Sequence, residues 1–135
     1  MKAHLSRRYH FSASHRLHTE AYDAAKNKAL FGKCNNPHGH GHNYTVQVTL
    51  SGPVDPATGM VCNLAELDAF AQTNLLARFD HTNLNTLDCF ANKVSTTENL
   101  SMEIYRIFKG FTAAHLERVR VYEMPDLFAD YYGER

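Results

Sequence analysis

Apolar and polar positions alternate from Ala3 to His15. Leu5, Tyr9, Phe11 and Ala13 share one parity, and Ser6, Arg8, His10, Ser12 and Ser14 share the other. A period of two sends successive side chains to opposite faces, so the stretch predicts a strand with one buried face, closed by His15 on the apolar parity. His40, His42, Tyr44, Val46, Val48 and Leu50 repeat the pattern and predict a second strand that stops at Ser51-Gly52-Pro53. Between the two, residues 19–36 lose all period, and Gly32, Asn35, Asn36 and Pro37 predict a long loop. Beyond the turn-rich Asp55-Pro56-Ala57-Thr58-Gly59, Met60-Val61-Cys62 predicts a short returning strand.

The spacing then lengthens to that of a helix. Asn63 reads as an N-cap with Glu66 as its capping-box partner, and Leu64, Leu67, Ala71, Leu75 and Ala77–Phe79 form the apolar stripe of a helix ending near Arg78. Asp80-His81-Thr82-Asn83 reads as a loop. Ser95-Thr96-Thr97-Glu98 is a second capping box, opening a helix that buries Leu100, Ile104, Ile107, Phe108 and Phe111 and stops at Gly110. Leu116 to Glu123 alternates again, with Val119, Val121 and Glu123 on one face, and Phe128 to Tyr132 predicts a short last strand after Pro125. Strands segregated from helices predict an α+β fold, a mostly antiparallel sheet with its helices on one face. The other face must be solvated or covered by another copy of the chain.

Size and charge narrow the functional classes. The 135 residues suit a single domain spanning 1–135, and 44% apolar with 21% charged residues is a folding composition, neither disordered nor collagen-like. Fourteen basic residues balance fourteen acidic ones. No basic field exists to hold nucleic acid or an anionic membrane surface, and no apolar stretch approaches the ~20 residues of a membrane span. The opening Met1-Lys2-Ala3-His4-Leu5-Ser6-Arg7-Arg8 has no apolar core of a signal peptide, so a soluble cytoplasmic domain is expected. Three cysteines, Cys34, Cys62 and Cys89, with no C-x-x-C pair, argue against a disulfide scaffold. Cys62 and Cys89 read as ordinary packing or surface thiols.

Histidine carries the chemical signal: nine residues of 135, three of them at His38, His40 and His42. His40 and His42 are i and i+2 on a strand and point the same way. If the two long strands pair near their histidine ends, His15 joins them, and three imidazoles with a vacant fourth position is the arrangement of a catalytic zinc site. Surface pairs of strand histidines have the same spacing, and His38 with His40 makes an equally good pair. Cys34 either closes a structural zinc site or stands as a reactive thiol beside an open one; the spacing leaves both readings. Asp80 and His81 are explained equally by capping of the preceding helix end and its dipole. Glu123 is an acid on an apolar parity, where a carboxylate needs a partner. Thr96 and Thr97 bring a helix N-terminus, with free backbone N–H groups, to the same region.

Phe11-Ser12-Ala13-Ser14-His15-Arg16-Leu17 and the stretch from Phe31 to Tyr44, with Cys34, His40, Gly41 and His42, resemble the motifs of the 6-pyruvoyltetrahydropterin synthase family. Asp55 to Met60, Asp80 to Leu84, Val94 to Asn99 and Val121-Tyr122-Glu123 continue the resemblance in family order over nearly the whole chain. The resemblance implies the tunnelling fold: a four-stranded antiparallel sheet with two helices on one side, closed into a barrel by three subunits and stacked into a homohexamer with active sites at subunit interfaces. It implies Zn2+ bound by His15, His40 and His42, with Cys34, Asp80 and His81 catalytic and Glu123 anchoring a pterin; Thr96 and Thr97, at their helix start, then offer N–H groups to its ring or to an anion. The implied reaction converts 7,8-dihydroneopterin triphosphate to 6-pyruvoyl-tetrahydropterin with loss of triphosphate and no external redox cofactor. His38 departs from the pattern, where asparagine is expected. Arg16, Lys26, Lys28 and Lys33 are available to the phosphates.

Two other readings are carried forward. A related branch makes 6-carboxy-tetrahydropterin from the same substrate, with its cysteine closer to the first motif histidine. Here Asn35 to Gly39 separate Cys34 from His40, which favours the pyruvoyl branch. The other is a non-catalytic metal or pterin-binding module, with Cys34 completing the metal site.

Overall fold

The computed structural model describes residues 1–134. In chain order it runs β1 (Lys2–His15), α1 (Ala24–Phe31), β2 (His40–Pro53), α2 (Leu64–Ala71), α3 (Ala77–Phe79), β3 (Thr82–Asn83), α4 (Thr97–Phe108), β4 (His115–Met124) and β5 (Leu127–Tyr131). The five strands form one sheet in the order β3-β1-β2-β4-β5, antiparallel except for the two-residue pairing of β3 with β1. β1 and β2 pair without a slip, from Lys2 opposite Pro53 to His15 opposite His40.

One face of this sheet makes the core. Tyr9, Phe11 and Ala13 of β1, Tyr44, Val46, Val48 and Leu50 of β2, and Leu116, Val119 and Val121 of β4 are buried against Leu67 and Ala71 of α2, Phe79 of α3, and Leu100, Ile104 and Phe108 of α4. Each fully buried Leu, Phe or Val contributes about 1.5–3 kcal/mol, so this face sets the fold. The opposite face is polar and cross-linked along the β1–β2 pairs: Ser6 with Thr49 at 2.8 Å, Arg8 with Gln47 at 2.8 Å, His10 with Thr45 at 3.0 Å, and Ser12 with Asn43 at 2.6 Å.

Four local expectations are corrected. Residues 19–36 are not loop throughout. α1 lies there without burying an apolar residue, held by its Asp23 N-cap and by the buried Asn27, whose side chain bonds the backbone of Thr19, Tyr22 and Asp23. Met60-Val61-Cys62 forms no strand. Asp55 N–H bonds the Met60 carbonyl at 3.0 Å and Gly59 N–H bonds the Asp55 carbonyl at 2.7 Å, closing the segment on itself. The loop after α3 supplies a fifth strand, because Thr82 and Asn83 reach the free edge of β1 at Ala13 and Ser14. The cap of α4 is Thr96, which accepts from Asn99 N–H, and not Ser95.

The expected helix over 64–78 is α2 and α3 joined through a π turn at Gln72–Leu76. Glu103 of α4 ties this segment down, lying 3.1 Å from Arg78 and paired also to Arg106. Burial alone would raise the Glu103 carboxyl, but the two guanidinium groups hold it below its ordinary range. No helix among the described residues is long and apolar enough to cross a membrane.

Candidate metal centre and active site

The slip-free register of β1 on β2 places His15 opposite His40, and His42 follows on the same face of β2. The three rings meet edge to face, with centroids 4.7, 5.2 and 4.8 Å apart. His15 Nε2 and His40 Nε2 lie 3.1 Å apart. Two nitrogens bound to a tetrahedral zinc at its usual bond length are separated by roughly 3.3 Å, so the spacing suits a shared cation. Glu123 of β4 joins them: one donor atom from each of His15, His40, His42 and Glu123 lies within 4.8 Å of the others.

The surroundings prepare the rings. His15, 1% exposed, has its Nδ1 2.7 Å from the Ser95 carbonyl. A carbonyl only accepts, so Nδ1 carries the proton and Nε2 keeps its lone pair toward the cluster. Gly39, at φ +74°, turns the chain into β2 where a Cβ would sit 3.1 Å from the His15 carbonyl oxygen. Only glycine meets both demands.

His40 Nδ1 and His42 Nε2 are buried without a hydrogen-bond partner among the described residues. His42 Nε2 is 2.8 Å from Glu123 Oε1, close enough to attract but not aligned as a hydrogen bond. Buried nitrogens without partners are costly, and of these two it is His42 Nε2, beside Glu123, that a divalent cation in the cluster would satisfy. The donor set therefore fits a metal of the zinc type, which imidazole suits.

Burial, reinforced by the neighbouring imidazoles, holds the protonation of His15 and His42 below the ordinary histidine range; the Ser95 carbonyl partly opposes it at His15 and Glu123 partly opposes it at His42. In the unfolded chain both titrate near ~6.5. Below that pH the unfolded state binds more protons than the native one, so the stability from neutral buried rings is present above about 6.5 and lost as pH falls toward the folded values. The melting temperature of chelator-treated protein is therefore expected to drop on acidification through this window. A flat profile there would show that the rings protonate freely in place.

Cys34 sits half-buried in the 3₁₀ turn Gly32–Asn35 and is not one of the clustered donors. It lies within electrostatic reach of Tyr44, whose hydroxyl is 3.5 Å from His15 Nδ1 and whose ionisation is pushed well up by burial, with Glu123 and Cys34 adding to it. Asp80 and His81 do touch: His81 Nδ1 is 3.0 Å from Asp80 Oδ1. Asp80 Oδ1 also accepts the Ser12 N–H at 2.9 Å, and that bond, helped by His81, holds its carboxyl below the usual range. His81 stands at φ +59°, a strained conformation for a non-glycine residue, pinned by its N–H on the Ser12 carbonyl at 2.6 Å. No hydrogen bond or ion pair joins Asp80 or His81 to Cys34 among the described residues.

Glu123 is 9% exposed, and the Thr97 hydroxyl donates to its Oε2. Its other oxygen faces the imidazoles. Thr96 is the α4 cap. His38 is exposed and outside the donor group, so His40 is the partner of His42. A cavity of about 550 Å³ opens beside His15, walled in part by Arg16, His18, His38, Asn85 and Lys93. Of the four cationic side chains proposed for phosphates only Arg16 lines it; Lys93 was not foreseen. Cys62 and Cys89 are partly buried against the core, and burial raises both thiols. Sequence reasoning also missed the Ser95 carbonyl, whose one signal was a small polar residue beside the α4 cap.

Fold and site together define an α+β domain whose three imidazoles and carboxylate, at one end of a mostly antiparallel sheet, form a donor group that could hold a metal ion. The profile of the 6-pyruvoyl tetrahydropterin synthase family matches residues 4–134, and the chain belongs to that family. It is 47% identical over 135 residues to 6-pyruvoyl tetrahydrobiopterin synthase of Homo sapiens, covering 98% of this chain and 93% of that one. To the protein of the same name from Drosophila melanogaster it is 46% identical, covering 97% and 80%. The structure of Caenorhabditis elegans 6-pyruvoyl tetrahydropterin synthase superposes with a TM-score of 0.94 at 39% identity, covering 99% of this chain and 97% of that one. The subunit has the tunnelling fold expected from the sequence.

Proposed function

We propose that the chain is a zinc-dependent lyase that converts 7,8-dihydroneopterin triphosphate to 6-pyruvoyl-tetrahydropterin and releases triphosphate. The observation that carries this reading is the convergence of His15, His40 and His42 with Glu123 at the end of one strand pair; the full-length likeness to relatives of that name supports it. A cation held by His15, His40 and His42 supplies Lewis-acid polarisation of the substrate's side-chain oxygens.

The remaining work falls to the chain's own groups. Carbon-bound protons beside the side-chain hydroxyls are poorly acidic, and Cys34 as thiolate removes them. His81, oriented by Asp80, is its proton partner. Glu123, fixed through one oxygen by Thr97, receives the ring N–H and amino donors of the pterin, and Thr96 and Thr97 border the ring. The reaction is redox-neutral within the substrate: the side chain is oxidised as the ring is reduced, and triphosphate departs.

The active unit in this reading is a homohexamer of two stacked trimeric barrels, with sites at subunit interfaces. The lack of any hydrogen bond or ion pair between the Asp80–His81 pair and Cys34 among the described residues agrees with it, since a neighbour can supply the missing half. The polar sheet face and open strand edges agree with it. We place the protein in the cytoplasm, where three unpaired cysteines are stable.

Incubation with 7,8-dihydroneopterin triphosphate tests the reading: one triphosphate released per pyruvoyl product, identified by mass. A carboxy product, or no phosphate release, defeats it. Glu123→Gln separates pterin anchor from metal ligand. It is expected to leave bound zinc unchanged and lower kcat/KM about 10–100-fold, the worth of a charge-assisted hydrogen bond. Loss of zinc instead would make Glu123 a ligand.

A further inference from the structure

A run of hydrogen bonds leads from His15 to the Cys34 turn. The Ser95 carbonyl holds His15 Nδ1 at 2.7 Å, and Ser95 Oγ is bonded by Asn85 Nδ2 at 3.2 Å. Asn85 grips the backbone of Arg16 on both sides, accepting its N–H at 2.6 Å and donating to its carbonyl at 3.0 Å. Arg16 Nε donates to the Asn35 carbonyl at 3.0 Å, Asn35 Nδ2 donates to the Leu17 carbonyl at 2.7 Å, and Leu17 N–H donates to the Cys34 carbonyl at 2.8 Å. The backbone of Cys34 and the following Asn35 are thus clamped to the two residues that follow His15.

We infer that Asn35 is a positioning residue that sets the location of the Cys34 thiol relative to the three imidazoles. This rests on the lyase reading above. The Cys34 turn has no strand ladder to locate it. It opens at Gly32, at φ +57° in open space, and precedes the turn at Pro37-His38 and Gly39 at φ +74°. Asn35 is the one residue of the turn that is buried, at 8% exposure, and its amide also lies 3.4 Å from His18 Nδ1. With the Leu17–Cys34 bond it forms a two-point clasp, which fixes orientation as well as distance. Near-attack geometry tolerates little slack: a shift of about 1 Å costs on the order of 10²-fold in rate.

Asn35→Asp keeps the shape but removes the Nδ2 donor and sets an oxygen against the Leu17 carbonyl. With 7,8-dihydroneopterin triphosphate, kcat per zinc-loaded subunit is expected to fall about 10–100-fold with KM and zinc content unchanged. The rate at which iodoacetamide alkylates Cys34, followed by peptide mass spectrometry, is expected to change in the same variant. A purely structural role would lower the melting temperature and zinc content and leave both rates per folded subunit at wild-type values, which would overturn the proposal. So would a raised KM at unchanged kcat. Should the aspartate variant not fold, Asn35→Ser is read by the same criteria, and collapse of both assigns Asn35 to the fold and ends the proposal. If wild-type protein fails to consume the pterin triphosphate, the lyase reading fails; the alkylation comparison then decides the positioning claim, an unchanged rate overturning it.

Discussion

Cys34→Ala is expected to lower kcat for 7,8-dihydroneopterin triphosphate by about 10²–10⁴-fold, the range by which a positioned general base accelerates proton transfer. In the lyase reading the Cys34 thiolate is the base that takes the carbon-bound proton. Alanine removes it without a large packing loss, because Cys34 is only half-buried. Zinc content should stay at the wild-type level, since the thiol is outside the donor group. Metal analysis beside single-turnover kinetics checks both halves. A fully active variant removes the thiol from the mechanism, and an inactive variant that has also lost its metal revives the reading in which Cys34 completes a metal site.

The second large effect is expected at His40. Outer partners of metal ligands are worth about 10–100-fold in affinity, so deletion of a ligand itself should cost more than about 100-fold. His40→Ala is the cleanest test because His40 is only half-buried, whereas His15 is sealed in the core with its Ser95 contact. Competition against a chelator of known zinc affinity measures the loss, and circular dichroism checks that the fold persists. Zinc affinity equal to wild type, with turnover intact, would remove the three-imidazole site.

Much of this was legible in the sequence, and the failures have physical causes. β1, β2 and α4 were readable because each buries one face, so period 2 or 3.6 is written into its apolar positions. α1 was invisible for the same reason reversed: it buries one asparagine and no apolar stripe, and stands on a cap and a side-chain network. The α4 cap slipped by one because Ser95 and Thr96 are both good caps, and only the buried contact of the Ser95 carbonyl with His15 separates their roles. In the site, parity put His15, His40 and His42 on buried faces. What put them side by side was the strand register, which the long connection between β1 and β2 leaves undetermined. Glu123 was readable as an anomaly, a carboxylate among apolar neighbours, but its closeness to His42 depends on how β4 lies on β2. The clasp at Asn35 was unreadable, because asparagine there looks like any turn residue.

The two-residue pairing of β3 has a consequence for how copies of this chain can join. β3 covers the outer margin of β1 at Ala13 and Ser14, and the Asp80 carboxylate and His81 N–H take up the Ser12 backbone, leaving that margin from Lys2 to Phe11 without a strand partner among the described residues. β3 is thus an end stop. A guest strand laid along that margin can extend toward the histidines and no further, so docking would bring the guest's terminal residues beside the imidazole cluster without intruding on it.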